Sequence, residues 1–204
     1  ICEGLVGSEM CIRDSQFNFK AADKYVEMGL KNNMYIVGHA LVWHAQLADF
    51  MQNLDNSAET RAHVDNHINT LVSRYKGKID AWDVVNEAFE EDGSLRASVF
   101  YKNMGENYIE EVFRKTEKVD PDVDLIYNDY NLYKPKKRAA VLEMVKKFKA
   151  NGTKINGVGV QAHWDLKSPS LEEIEQIILD VHAAGVYVSF TCLLYTSDAA
   201  DELR

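Results

Sequence analysis

Five short apolar runs recur along the chain, at 34–40, 79–85, 123–128, 155–160 and 186–191. Between them lie longer stretches in which apolar residues return every three or four positions, near 18–31, 57–76, 104–118, 136–150 and 171–184. A short continuous apolar run fits a strand buried on both faces, and the longer spacing fits an amphipathic helix. In the last helical stretch Leu171, Ile174, Ile177, Ile178 and Val181 share one face. Ser170 followed by Glu173 predicts a capping box at its start, and Gly185 stands where a C-terminal glycine belongs. The stretch at 136–150 carries Val141, Leu142, Val145 and Phe148, then stops at Asn151-Gly152. Repeated strand–helix alternation predicts an α/β fold, a parallel sheet with helices outside it. No linker, low-complexity tract or second-domain signature interrupts it.

At 204 residues the chain can bury one sizeable core. It is short of the ~250 residues typical of a complete eight-stranded barrel. The composition, 46% hydrophobic and 27% charged, is ordinary for a globular domain. A net charge of −9 argues against a nucleic-acid partner, because phosphate binding needs clustered cationic surface. No run approaches the ~18 apolar residues of a membrane span, so no membrane partner is expected. No charged-then-apolar signal segment opens the chain.

The ends read differently from the middle. Cys2, Cys11 and Cys192 all lie near the termini, and 12–191 holds no cysteine. Residues 4–15 and 193–202 lose the periodicity of the interior and resemble translated sequencing-adapter read-through. Residues 1–15 and 192–204 are therefore expected to be non-native ends around a single unit at 16–191. Cysteine usage then carries no information about redox compartment.

Polar residues cluster just after the apolar runs. After the first comes Gly38-His39-Ala40-Leu41-Val42-Trp43-His44-Ala45-Gln46. Trp82-Asp83-Val84-Val85 ends on Asn86-Glu87, the third run ends on Asn128-Asp129-Tyr130-Asn131, and the fourth on Gln161-Ala162-His163-Trp164. A lone histidine beside an apolar run is usually a core residue. Four successive strands ending in His, Asn, Gln, Tyr or Trp point instead to one face of a barrel, where barrel enzymes keep their sites. A carboxyl group such as Glu87 could there protonate a leaving oxygen, with Asn86 gripping a hydroxyl beside it. Aromatic faces with amides and imidazoles suit a sugar ring. Metal and nucleotide readings find no support: there is no His-Glu-x-x-His, no cysteine pair and no glycine-rich phosphate loop. No cofactor is expected.

Together, the segments 38–46, 82–88, 128–131 and 157–163 resemble glycoside hydrolase family 10, the endo-β-1,4-xylanases, in order and approximate spacing. The resemblance covers roughly 16–191. It implies a partial (β/α)₈ barrel holding the family's third to seventh strands, without the first two and the eighth. It implies a retaining enzyme acting on xylan or xylo-oligosaccharide, secreted or periplasmic because xylan is too large to enter a cell, and not expected to oligomerise when intact. On that resemblance Glu87 is the general acid/base and Asn86 holds the 2-hydroxyl of the sugar being cleaved. His39, Trp43, Gln161 and His163 line the same subsite, and His163 would also bond the nucleophile. Tyr130 is a further aromatic of the site, while His44 and Gln46 support it. Three departures stand out. Ala48-Asp49-Phe50 follows Leu47 where the family has Pro and Trp, and the family's second-strand Lys and Asn have no counterpart. The third is that the seventh strand should end Thr-Glu-Leu-Asp, with that Glu as nucleophile, but Cys192 occupies its position. Retention needs two carboxyl groups, so the chain as written is expected to be inactive. Other readings are a cellulase-like retaining glycanase and a non-catalytic carbohydrate-binding barrel.

Overall fold

A computed structural model describes residues 11–12 and 16–196. Of the two expected non-native ends, residues 1–10, 13–15 and 197–204 lie outside the described residues. A small pairing opens the described chain, β1 (Cys11–Ile12) running antiparallel to β2 (Gln16–Phe17).

Five strands then form one sheet: β3 (Val37–Trp43), β4 (Ala81–Asn86), β5 (Asp124–Tyr130), β6 (Gly157–Asp165) and β7 (Tyr187–Thr196). Every neighbouring pair is parallel, and the order in space is the order in sequence. Each crossover therefore steps one strand in the same direction. Right-handed crossovers then leave every connecting helix on one face of the sheet. A doubly wound sheet would reverse its order partway and carry helices on both faces. This is the wall of a barrel.

The outer layer begins with α1 (Lys20–Lys31). Next come α2 (Asp49–Gln52) and α3 (Ser57–Tyr75), which join β3 to β4. From β4 to β5 run α4 (Val99–Met104) and α5 (Tyr108–Val119), followed by α6 (Pro135–Ala150) and α7 (Leu171–Ala183). The capping box is present: the Glu173 N–H donates to Ser170 Oγ at 3.2 Å and the Ser170 N–H to Glu173 Oε2 at 2.8 Å. Gly185 follows α7 at φ +77, the left-handed conformation glycine adopts without steric cost.

Aromatic side chains fill the layer between sheet and helices. Trp82 lies 6.5 Å from Tyr75 of α3, Tyr127 lies 5.8 Å from Phe89, and Phe113 of α5 lies 5.3 Å from Phe148 of α6. Successive strand residues point to opposite faces. With Trp82 and Tyr127 committed to the helices, Asp83 and Asn128 turn toward the inner face.

The strands run further at their carboxyl ends than the apolar runs predict. β3 continues to Trp43, β5 to Tyr130, β6 to Asp165 and β7 to Thr196. The added residues include Trp43 of β3 and Gln161 of β6, whose side chains both donate to the Glu87 carboxyl. The helical stretch predicted over 104–118 is divided: Gly105 at φ +85 ends α4, and α5 starts only at Tyr108.

Candidate active site

The parallel register brings the polar strand ends to one level. Trp43 pairs with Asn86, Asn86 with Asn128, Asn128 with Gly159, and, two residues further along, Tyr130 with Gln161 and Gln161 with Thr191. Within β4 one extra residue lies between Asp83 and Val85 relative to β5. In an unbroken strand Asp83 and Asn86, three apart, would face opposite ways; the irregularity lets both face inward.

Asn86 is the hub. Its Oδ1 accepts from Asn128 Nδ2 at 3.1 Å and from Gln161 Nε2 at 2.9 Å. Asn128 Oδ1 accepts in turn from Thr191 Oγ1 at 2.8 Å, which ties β7 to β5 across β6. Asn86, Asn128 and Gln161 are all buried. Gly159 leaves the room this requires, since a Cβ there would lie 2.3 Å from Asn128 Oδ1.

Glu87 follows directly. Trp43 Nε1 donates to its Oε2 at 3.0 Å, and Gln161 Nε2 donates to its Oε1 at 3.0 Å. Its main-chain N–H donates to the Asn128 carbonyl at 2.9 Å, and its own carbonyl accepts from Arg96 Nε at 3.0 Å. The residue sits at φ +58, a left-handed conformation that costs an L-residue roughly 1–2 kcal/mol. Surrounding contacts must hold it there.

His39 and Trp43 stand side by side, ring centres 5.9 Å apart. His39 Nδ1 is 2.8 Å from Oδ2 of Asp83, a buried carboxylate. Burial pushes the Asp83 carboxyl up, with His39 pulling against it. Half-buried His44 meets Trp43 edge-on at 6.3 Å, and burial, then the Arg96 charge, hold its imidazole below its ordinary pKa.

Behind it lies a charged layer. Arg96 Nη2 donates to Tyr130 Oη at 2.9 Å, and Lys137 Nζ sits 3.6 Å from the centre of the Tyr130 ring. Lys137 is fully buried and pairs with Asp129 Oδ1 at 2.8 Å. Burial raises the Asp129 carboxyl to about 6 in spite of Lys137. Tyr127 donates to Asp129 Oδ2 at 2.5 Å, and its oxygen accepts the Ala88 N–H at 3.0 Å.

Two residues stand apart from this cluster. Gln46 is exposed in the turn after β3 at φ +52, and His163 is exposed beyond an irregularity in the β6–β7 pairing. Among the described residues neither side chain makes a hydrogen bond. Cys192 lies in that irregularity: Gln161 pairs with Thr191 but His163 with Leu194, so β7 holds one extra residue there. Its φ is +53, close to that of Glu87. Sequence reasoning did not assign Asp83, Asn128, Asp129, Lys137 or Arg96. The first three are polar residues inside apolar strands, which is a readable signal. Arg96 lies in an aperiodic loop and offered none. Among the described residues no group of three or more His, Cys, Asp or Glu side chains is placed to hold a metal ion.

The family model described as "Glycosyl hydrolase family 10" matches residues 7–200. The chain is 40% identical over 183 residues to endo-1,4-beta-xylanase A of Xylanibacter ruminicola, covering 87% of this chain and 50% of that protein. It is 41% identical over 177 residues to a beta-1,4-xylanase of Dictyoglomus thermophilum, with 86% and 50% covered. Among solved structures, a GH10 endoxylanase retrieved from a sugarcane soil metagenome superposes with a TM-score of 0.86 at 44% identity, over 89% of this chain and 54% of that one. Xylanase 10B of Thermotoga petrophila RKU-1 in complex with xylobiose gives 0.82 at 38%, over 85% and 54%. The chain thus spans about half the length of the curated relatives it matches. With the sheet order, the inward amides and a family match over nearly all of its residues in agreement, the chain belongs to glycosyl hydrolase family 10.

Proposed function

We propose that this chain carries the acid/base half of a retaining endo-β-1,4-xylanase, which hydrolyses internal β-1,4-xylosidic bonds in xylan. The observation that supports this most directly is the Glu87 carboxyl, gripped by Trp43 and Gln161 beside the buried Asn86 amide. Glu87 donates its proton to the departing glycosidic oxygen. Later it takes a proton from the water that opens the glycosyl-enzyme. Asn86 has its Oδ1 fixed by two donors, which leaves Nδ2 to donate to the sugar's 2-hydroxyl. His39, Trp43, Tyr130 and Gln161 line the sugar, with His44 in support; for His163 and Gln46, which stand apart from the cluster, the same roles rest on the family resemblance alone.

The retaining route needs a second carboxyl about 5–5.5 Å from the first. On the family resemblance the nucleophile would fall at position 192, where this sequence has Cys192, so we propose that the chain as written does not turn xylan over. The unit carrying this chemistry is 16–191. We extend the proposal to a secreted or periplasmic location, since xylan is too large to enter a cell intact. The structurally similar TsXylA from Thermoanaerobacterium saccharolyticum is described as an intracellular xylanase.

The test is reducing-sugar release from xylan by residues 1–204 and by a full-length family barrel carrying this segment with Thr-Glu-Leu-Asp at 191–194. Activity is expected in the second alone, falling by about 10²–10⁴-fold on Glu87→Gln. Equal activity in both would remove the role given to position 192. Preference for cellulose over xylan would favour the cellulase-like reading.

A further inference from the structure

We propose that Arg96 is a positioning residue for Glu87, fixing the main chain from which its carboxyl is aimed. The importance of this rests on the reading of Glu87 as the acid/base, but the geometry does not. The peptide groups around Glu87 are held at three points. Glu87 N–H donates to the Asn128 carbonyl at 2.9 Å, Ala88 N–H donates to Tyr127 Oη at 3.0 Å, and the Glu87 carbonyl accepts from Arg96 Nε at 3.0 Å. The first two partners belong to β5. The third comes from the loop that Glu87 itself begins, and it needs anchors of its own.

Arg96 has four. Its Nη2 donates to Tyr130 Oη at 2.9 Å and to the Phe89 carbonyl at 3.5 Å, its Nη1 lies 3.2 Å from Glu90 Oε1, and its main-chain N–H donates to the Ala88 carbonyl at 2.8 Å. The loop is folded back on itself by the Phe89–Leu95 bridge, which brings residue 96 alongside residue 88. A planar guanidinium can meet a carbonyl, a phenol and a carboxylate at once in a fixed fork; an ammonium at the same place has no such fork. Glu87 at φ +58 is in a conformation that an L-residue leaves when released. Removing Arg96 would therefore let the peptide relax and draw the carboxyl away from Trp43 and Gln161.

Trp43 Nε1–H, 3.0 Å from Glu87 Oε2, reports that withdrawal without any need for turnover. In the full 204-residue chain, carrying Leu171→Lys and Leu179→Glu throughout to keep it dispersed, the three tryptophans give three indole N–H resonances, and Trp43→Phe identifies the one of interest. Its chemical-shift offset between that chain and Glu87→Ala measures the carboxylate hydrogen bond. Because hydrogen bonds weaken steeply with distance and angle, Arg96→Met is expected to abolish roughly half or more of that offset while Trp82 and Trp164 stay in place. Arg96→Lys should restore part of it. A full offset in Arg96→Met overturns the proposal. If Arg96→Met displaces all three indoles, Tyr130→Phe decides: a reduced offset at Trp43 alone supports the role, and an unchanged one overturns it. The acid/base reading fails separately, if Glu87→Gln in the completed enzyme still hydrolyses xylan whatever the indole does.

Discussion

A single side chain, Asn86, ties three strands together on the inner face of the sheet. Its single oxygen satisfies donors from β5 and β6, so Asn86→Ala strands Asn128 Nδ2 in a buried position and removes one of the two acceptors of Gln161. A buried donor left unpaired costs about 1–3 kcal/mol, and urea unfolding of the chain should show a loss of that size. A loss within measurement error would mean that water replaces the oxygen freely. Gly159 offers a sharper case. A Cβ there would sit 2.3 Å from Asn128 Oδ1, so Gly159→Ala should destabilise by about 1–3 kcal/mol. Combined with Asn128→Ala the cost should be clearly less than additive, because the clash partner is gone; strict additivity would refute the contact. Asn86 and Glu87 were legible in the sequence because an amide and an acid closing an apolar run are conspicuous. The two glycines facing Trp82 and Asn128 were not: the sequence shows that Gly38 and Gly159 are small, but not which side chain fills the space they leave.

Between elements, β5 and α6 are joined by a buried ion pair, Asp129 with Lys137, in a setting where desolvation opposes both charges. The Asp129 carboxyl stands at about 6 in the folded chain against 3.8 for an unperturbed one. An acid whose pKa is raised by folding binds its proton more tightly when folded. Its contribution to stability is therefore complete below pH of about 4 and is lost as the pH rises through about 6. That shift corresponds to about 3 kcal/mol across the window. Urea titrations of the protein and of Asp129→Asn should show the difference moving in favour of the aspartate as the pH is lowered from about 7 to 4. A difference that is flat, or that moves the other way, would place the proton elsewhere in the Tyr127–Asp129–Lys137 cluster. None of this coupling was readable from periodicity. Lys137 looks like an ordinary polar position near the start of a helix, and only the packing of α6 against β5 buries it. The order of the five sheet strands and of the long helices between them, by contrast, was readable, because apolar runs and helical spacing alternate; the β1–β2 pairing and the short α2 and α4 were not. Strand ends were misjudged because backbone pairing does not require an apolar side chain: Gln161 and His163 are polar and still pair with Thr191 and Leu194.

Across the whole molecule the sheet is open. β3 and β7 each have a sheet neighbour on one side only, so within the described residues each presents an unpaired row of N–H and C=O groups. Apolar side chains lie near both edges. Met34 and Tyr35 lead into β3 and are exposed, as are Met28 and Leu30 of α1. On α7, Leu171 is 76% and Leu179 54% exposed, with Ile178 beside them. An unprotected edge next to apolar surface is a template for pairing with another chain. Residues 1–204 made alone should therefore self-associate in a concentration-dependent way, visible as rising light scattering over roughly 1–100 μM, the range in which exposed edges and apolar surface drive aggregation. Leu171→Lys with Leu179→Glu should lower that scattering while leaving the far-ultraviolet circular dichroism unchanged, because neither side chain is part of the buried core. A longer family barrel containing this segment should stay monomeric under the same conditions, its edges paired within one chain. A monomeric chain with native circular dichroism at the highest concentration would show that the two edges are protected by something other than strand pairing.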